Sequence, residues 1–444
     1  MSFVPHSEAD LREMLAEVGL SSLAELYTDI PADLILDQPL DVPPVLSEWE
    51  AVRRAEELAA ENPPLTCFAG AGIYDHHVPA VVDHIVRRSE FYTAYTPYQP
   101  EVAQGTLQAI YEFQTMVCEL TGMDVANASI YDGATSTGEA ALMAMAVTRR
   151  TGVVLPGTLH PHYRKVVNNY VSGLGTDVRR IEAGDDGLLD PATVAEAVDE
   201  NTACVIVQSP NFFGLIEDLE PVAEAAHAAG ALLVAVVDPL SLAILRSPGE
   251  QGADIAVGEG QLFGNTPNFG GPVVGIFAAR QKFVRQMPGR IVGATTDVEG
   301  RRGYVLTLQT REQQIRRGKA TSNICTNQGL NMLAATIHVA TLGPAGLRQV
   351  AELSARNAHY AFDRIAELDG VRPLYPDTPF FREFAVATDE DSRAILERGV
   401  ERGVLAGVSL ARFPELGAPD GLLIACTEKR NRDDIDQLVE VIKG

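Results

Sequence analysis

The sequence predicts an α/β protein: a large domain on a mostly parallel sheet, followed by a smaller C-terminal α+β domain. Three observations carry this expectation. Short, continuous apolar runs recur between residues 65 and 320. A strand covered on both faces needs such runs, whereas a half-solvated strand alternates. Helical segments separate the runs, as parallel strands joined by crossovers require. The third observation is length, since 444 residues exceed one ordinary core, so two or three domains are expected.

In chain order, residues 1–64 read as a helical arm. Ser7 and Asp10 can cap a helix whose apolar face is Leu11, Met14, Leu15 and Val18. A proline-containing linker follows over 31–44, and then Ser47 and Glu50 form a second capping box for a helix running toward Glu61. The large domain is expected over 65–323. A helix follows Asp132 and runs through 140–147; residues 203–207 predict a strand, 221–229 a helix closing on Gly230, and 231–237 the next strand. Two further strands are expected at 254–257 and 272–278. A long helix over 324–342 opens the small domain, 324–444, where 384–386 and 422–425 read as strands and 433–442 as the last helix.

Composition narrows the function. Hydrophobic residues at 46% and charged residues at 21% suit a packed core and argue against disorder. A formal charge of −25 disfavours nucleic acid and anionic membranes as partners. The longest apolar run, 228–237, is broken by Gly230 and is too short to span a bilayer. The N-terminus lacks a secretory pattern. Cys67, Cys118, Cys204, Cys325 and Cys426 are scattered, which reads as free thiols in a reducing cytoplasm. Lysine is scarce; a salt-rich cytoplasm and a GC-rich genome would each produce that bias.

Three landmarks carry chemistry. Gly133, Ala134 and Thr135, after Asp132, would leave backbone N–H groups free at a helix N-terminus, which suits a phosphate. A tight loop capped by Thr135 or Ser136 is the plainer reading. Asp238 ends a strand, where α/β sheets line their ligand crevices. Its carboxylate could pair with a protonated ring nitrogen, as pyridoxal phosphate requires, or simply cap the turn at Pro239 and Ser241. Enzymes of that layout place a Schiff-base lysine just after the next strand. The corresponding window, 258–265, holds Gln261 but no lysine, and none stands between Lys165 and Lys282. An imine needs a primary amine, so no catalytic residue for covalent chemistry is expected in this chain alone. His76, His77, His84, His160 and His162 lack companion ligands at metal-site spacing, so no metal is expected. Gly70 and Gly72 do not complete a dinucleotide fingerprint.

Longer motifs then carry a resemblance. Tyr74-Asp75-His76-His77-Val78-Pro79, Tyr95-Thr96-Pro97-Tyr98-Gln99-Pro100-Glu101, Gln104-Gly105-Thr106-Leu107-Gln108, Glu112-Phe113-Gln114-Thr115 and Ser129-Ile130-Tyr131-Asp132-Gly133-Ala134-Thr135 lie in the first third. Arg316-Arg317-Gly318-Lys319-Ala320-Thr321-Ser322-Asn323-Ile324-Cys325-Thr326 and Cys426-Thr427-Glu428-Lys429-Arg430-Asn431 follow. Together they resemble the P-protein family of the glycine cleavage system; Gly318 departs from it, standing where an acidic residue is common. The length fits the split form, in which separate alpha and beta chains replace one long polypeptide.

The resemblance implies a fold-type-I pyridoxal-phosphate architecture and an α2β2 assembly of two alpha and two beta chains, with the cofactor covalently on beta and this chain inactive alone. It implies decarboxylation of glycine, release of CO2 and transfer of the aminomethyl group to the lipoyl arm of H-protein. The alternative is a non-catalytic docking subunit for that lipoyl carrier. Tyr95, Thr96, Tyr98, Gln99 and Glu101 offer donors and acceptors for a small zwitterion on a proline-stiffened loop, with Ser322 and Asn323 as further polar contacts. Gly133, Ala134, Thr135, Asp238 and Gln261 would be the remnant of a cofactor pocket. Arg311, Arg316, Arg317 and Lys319 form the densest basic cluster, read either as a paired or solvated face or as an anion contact.

Overall fold

The computed structural model describes residues 5–36 and 38–444; the remaining positions of the predicted arm, 1–4 and 37, lie outside the described residues. Two compact units emerge, Met1–Pro63 and Pro64–Gly444. In the first, Ser7–Asp10 and Ser47–Glu50 make the expected reciprocal capping boxes of helices Glu8–Glu17 and Glu48–Ala60. The predicted apolar face is not buried as a whole. Leu15 is buried, but Met14 and Val18 stay exposed, because two separate helices and two short 3-10 turns give each other little surface to bury against.

The second unit is built around a seven-stranded sheet. Its strands are β1 (Val125–Ala126), β2 (Gly152–Pro156), β3 (Asp177–Ile181), β4 (Thr202–Ser209), β5 (Leu232–Val237), β6 (Ile255–Glu259) and β7 (Gly275–Ala279). The order is β1-β7-β6-β5-β4-β2-β3, parallel except for the two pairings made by β7. Burial alternates between two cores along each central strand. Cys204, Ile206, Val234, Val236, Ile255 and Val257 pack on one face, while Val205, Val207, Leu233, Ala235, Val237 and Ala256 pack on the other. That double burial is the physical reason for the continuous apolar runs.

A smaller antiparallel sheet joins β10 (Val371–Pro373), β11 (Glu383–Thr388), β12 (Val408–Ser409) and β13 (Gly421–Ala425) in the order β10-β11-β13-β12. The final helix, Arg432–Lys443, adds Ile435, Leu438, Val439 and Ile442 to its core. In sequence between the two sheets comes a hairpin that periodicity did not reveal, β8 (Ile291–Thr296) with β9 (Arg302–Thr307). We propose the boundary between large and small domains at 323/324.

The helix expected over 324–342 starts later and runs further. It spans Gly329–Ala366, with Gly343 at φ 60° ahead of Pro344. Proline interrupts the backbone ladder there and kinks the helix. Its late start has a tertiary cause: Cys325 N–H donates to Tyr131 Oη and Gln328 N–H to Ser129 Oγ, holding 325–328 out of helical geometry. The helix is long and apolar enough to cross a membrane by length and composition. Its first half nevertheless packs Met332 and Ala335 in one core, and its second half Ala358, Ala361 and Ile365 in another.

Two contacts bring distant segments over the carboxyl ends of β4–β6. Thr66–Cys67 pairs in parallel with Val404–Leu405, carrying residues 68–79 across the sheet. Phe381 N–H donates to Gly214 O at 3.1 Å, and Ile216 N–H to Pro379 O at 3.0 Å, which seats Arg382 beside β5.

Candidate active site

At that sheet edge a chain of charged groups crosses the fold. Asp238 follows β5 and pairs with the Arg382 guanidinium, Oδ2 to Nη2 at 2.5 Å. Arg382 is 1% exposed and lies flat over the Tyr74 ring, 3.7 Å from its centre. Its Nη1 also donates to His76 Nε2. His76 Nδ1 meets Glu428 Oε2 at 2.5 Å. These partners fix the tautomer: the proton sits on Nδ1, and Nε2 accepts. Burial lowers the His76 pKa and so favours the neutral ring. Burial is the largest single influence on Glu428 and would raise it. The hydrogen bond and coulombic pull of His76 and the His77 N–H together outweigh it and hold this carboxyl at about 2.

Glu383, next to Arg382, accepts from Ala71 N–H at 2.7 Å and from Tyr74 Oη–H at 2.9 Å. Burial pushes its carboxyl up to about 7. His160 donates its backbone N–H to Gln208 Oε1 at 2.8 Å and stacks on Tyr163, ring centres 4.8 Å apart.

The five expected remnant positions do gather at this edge, but they are turned to structural use. Asp132 caps the helix Gly133–Thr148 by accepting from Thr135 N–H at 2.6 Å. Gly133 N–H donates to Glu259 Oε2 at 2.9 Å. Ala134 lies half-buried in the same turn. Asp238 also accepts from Leu240 N–H at 3.0 Å, the turn-capping role foreseen as its alternative. Gln261 is buried and spans Tyr74, accepting from its N–H at 3.0 Å and donating to its carbonyl at 3.1 Å. Sequence reasoning missed Arg382, Glu383 and Glu259. Two signals were present: a charged pair, Arg382 and Glu383, at the start of the apolar strand β11, and an acid ending β6 inside the lysine-free window 258–265.

These residues do not fit pyridoxal phosphate. The cavity that Tyr74, His160, Tyr163, Asp238, Glu259 and Arg382 help to line measures about 40 Å3. A water needs roughly 10–15 Å3, and small-molecule pockets run to about 300–1,000 Å3. The space has room for only a few waters. No lysine lines it, and Asp238 already has its counter-charge in Arg382.

The tyrosine-rich loop lies at a different groove. Tyr95 is 87% exposed, and with Thr96 it borders a cavity of about 240 Å3 that also touches Asn327, Leu330 and Leu333. Gln99 and Glu101 are exposed. Neither groove shares a lining residue with the other. Tyr98 is held from behind by Arg290, which donates to its hydroxyl at 3.4 Å, to Cys325 O at 2.7 Å and to Thr326 Oγ1 at 3.1 Å. Buried Arg290 therefore ties the 95–101 loop to the segment carrying Ser322 and Asn323. Ser322 is buried, accepting from Ile324 N–H at 3.0 Å, and Asn323 is exposed. Arg311 leaves the basic cluster to donate to Met287 O, Gly289 O and Leu308 O; Arg316, Arg317 and Lys319 are exposed.

Residues 1–442 match the family described as glycine cleavage system P-protein. A relative from Carboxydothermus hydrogenoformans, named probable glycine dehydrogenase (decarboxylating) subunit 1, is 52% identical over 100% of both chains. The protein of that name from Moorella thermoacetica is 50% identical over 100% of this chain and 99% of its own. Among solved structures, an inhibitor-bound glycine decarboxylase (P-protein) of the glycine cleavage system superposes with a TM-score of 0.90 at 46% identity, covering 100% of this chain and 99% of the other. A sphingosine-1-phosphate lyase from Burkholderia pseudomallei shares the fold alone, at 17% identity and a TM-score of 0.65 over 92% of this chain and 93% of its own.

Proposed function

Since the chain belongs to the glycine cleavage system P-protein family, we propose that it works as the alpha half of a two-chain glycine dehydrogenase (decarboxylating), shaping an active site whose pyridoxal phosphate sits on a beta partner. The reaction removes CO2 from glycine and passes the aminomethyl group to the lipoyl arm of H-protein, within an α2β2 assembly in the cytoplasm. Bound on the partner, the cofactor supplies the electron sink for loss of the carboxylate. The observation that carries this reading is the small cavity of about 40 Å3 where a cofactor enzyme of this fold would keep its ring.

This chain's own part is positioning. Tyr95, Tyr98, Gln99 and Glu101 stand exposed on a loop stiffened by Pro97 and Pro100, and Thr96 lines the adjoining groove. Such groups can hold a small zwitterion and exclude water only once a partner covers them. Arg290 acts as a positioning residue through Tyr98.

Reconstituted with its partner, the Tyr98→Phe chain should lose roughly tenfold in glycine turnover, the worth of one hydrogen bond of about 1.4 kcal/mol. Tyr95→Phe should fall in the same direction, while each variant chain binds the partner normally. Unchanged kinetics in both would reject the contact and favour the docking-platform role.

A further inference from the structure

We propose that the Glu259 carboxyl is a built-in stand-in for a cofactor phosphate, so that this chain excludes pyridoxal phosphate by occupancy and not only by lacking a lysine. The proposal deepens, and rests on, the assignment of the cofactor to the partner.

The first turn of a helix leaves N–H groups without intrahelical partners, and its dipole favours an anion there. In the 16-residue helix Gly133–Thr148 two of these donors are already taken, Gly133 N–H by Glu259 Oε2 and Thr135 N–H by Asp132 Oδ1. Glu259 receives two more backbone donors, from Gln261 N–H at 2.9 Å and Val274 N–H at 3.2 Å. Three N–H groups converging on the two oxygens of one buried carboxyl, one on Oε2 and two on Oε1, are the pattern that recognises a phosphate group, satisfied from within the chain.

The mouth of the helix is also filled. A Cβ placed on Gly133 would lie 2.3 Å from Tyr163 Oη and 2.9 Å from Glu259 N. In the same cavity, Asp238 is paired with Arg382, whose guanidinium covers Tyr74. Anion site and ring-nitrogen partner are thus both closed by side chains.

Calorimetric titration of the isolated chain with inorganic phosphate, and separately with pyridoxal 5′-phosphate, tests the proposal. The wild-type chain should bind neither saturably. Glu259→Ala, which frees three N–H donors, should gain saturable phosphate binding that pyridoxal 5′-phosphate displaces, at least tenfold tighter than any residual wild-type signal. If that variant does not fold, Glu259→Asp, which withdraws the carboxyl by one methylene, is held to the same criterion. Saturable binding by the wild-type chain would overturn the proposal, as would a folded variant that binds neither. Glycine exchange by the isolated wild-type chain separates the two failures. Exchange would sink the half-enzyme reading itself, whereas phosphate binding without exchange would sink only the occupancy.

Discussion

Arg382→Ala should destabilise the second unit by about 3–5 kcal/mol, the cost of removing one partner from a buried ion pair. The loss has three parts that can be told apart. Asp238 keeps its charge in a largely dry setting with no counter-ion, His76 Nε2 loses its donor, and the face of Tyr74 loses the cation that covers it. Replacing both charges, Arg382→Met together with Asp238→Asn, should cost much less than the single change, because no uncompensated charge remains. Urea unfolding followed by far-ultraviolet circular dichroism measures this. Tryptophan fluorescence does not, since the chain's one tryptophan, Trp49, lies in the first unit. Equal losses from the single and the double variant would mean that packing rather than charge dominates at Arg382.

Gly214→Ala should be of similar size, about 3 kcal/mol or more, for a different reason. Gly214 has φ +84°, and a Cβ there would lie 1.8 Å from the Glu383 carbonyl oxygen. A rigid backbone atom cannot step aside as a flexible side chain can. The clash would push β11 from the 214–216 segment and move Arg382 with it. Gly300→Ala is the control. It has nearly the same φ, +79°, with nothing within 4 Å of its Cβ, so it should cost only the left-handed penalty of about 1 kcal/mol. Matching urea midpoints for the two variants would show that the close approach does not matter.

The sheet was legible in the sequence because double burial removes polar residues from both faces of a strand. Predicted strand 203–207 falls inside β4, and predicted strand 231–237 covers β5 with one extra residue. The arm's caps were legible for a local reason, as Ser7–Asp10 and Ser47–Glu50 are each three residues apart. What escaped was non-local. Arg382 finds His76 across 306 positions and Glu428 finds His76 across 352, separations at which periodicity carries no information. Glu259 escaped by its role. An acid ending a strand reads as solvent-facing until the helix turn that it caps is placed against it. The helix start was misplaced because Tyr131 and Ser129, nearly two hundred residues upstream, hold 325–328 out of helical geometry. The tyrosine loop was found by resemblance. Its exposure and its tie to Arg290 became visible only in three dimensions.

Borohydride reduction of the assembled two-chain enzyme with its cofactor, followed by separation and mass analysis of the chains, tests the central claim most directly. The account predicts a reduced cofactor adduct on a lysine of the beta partner and none on this chain. An adduct on Lys165, Lys282, Lys319, Lys429 or Lys443, formed in proportion to glycine turnover, would contradict it and make this chain a cofactor-bearing enzyme in its own right.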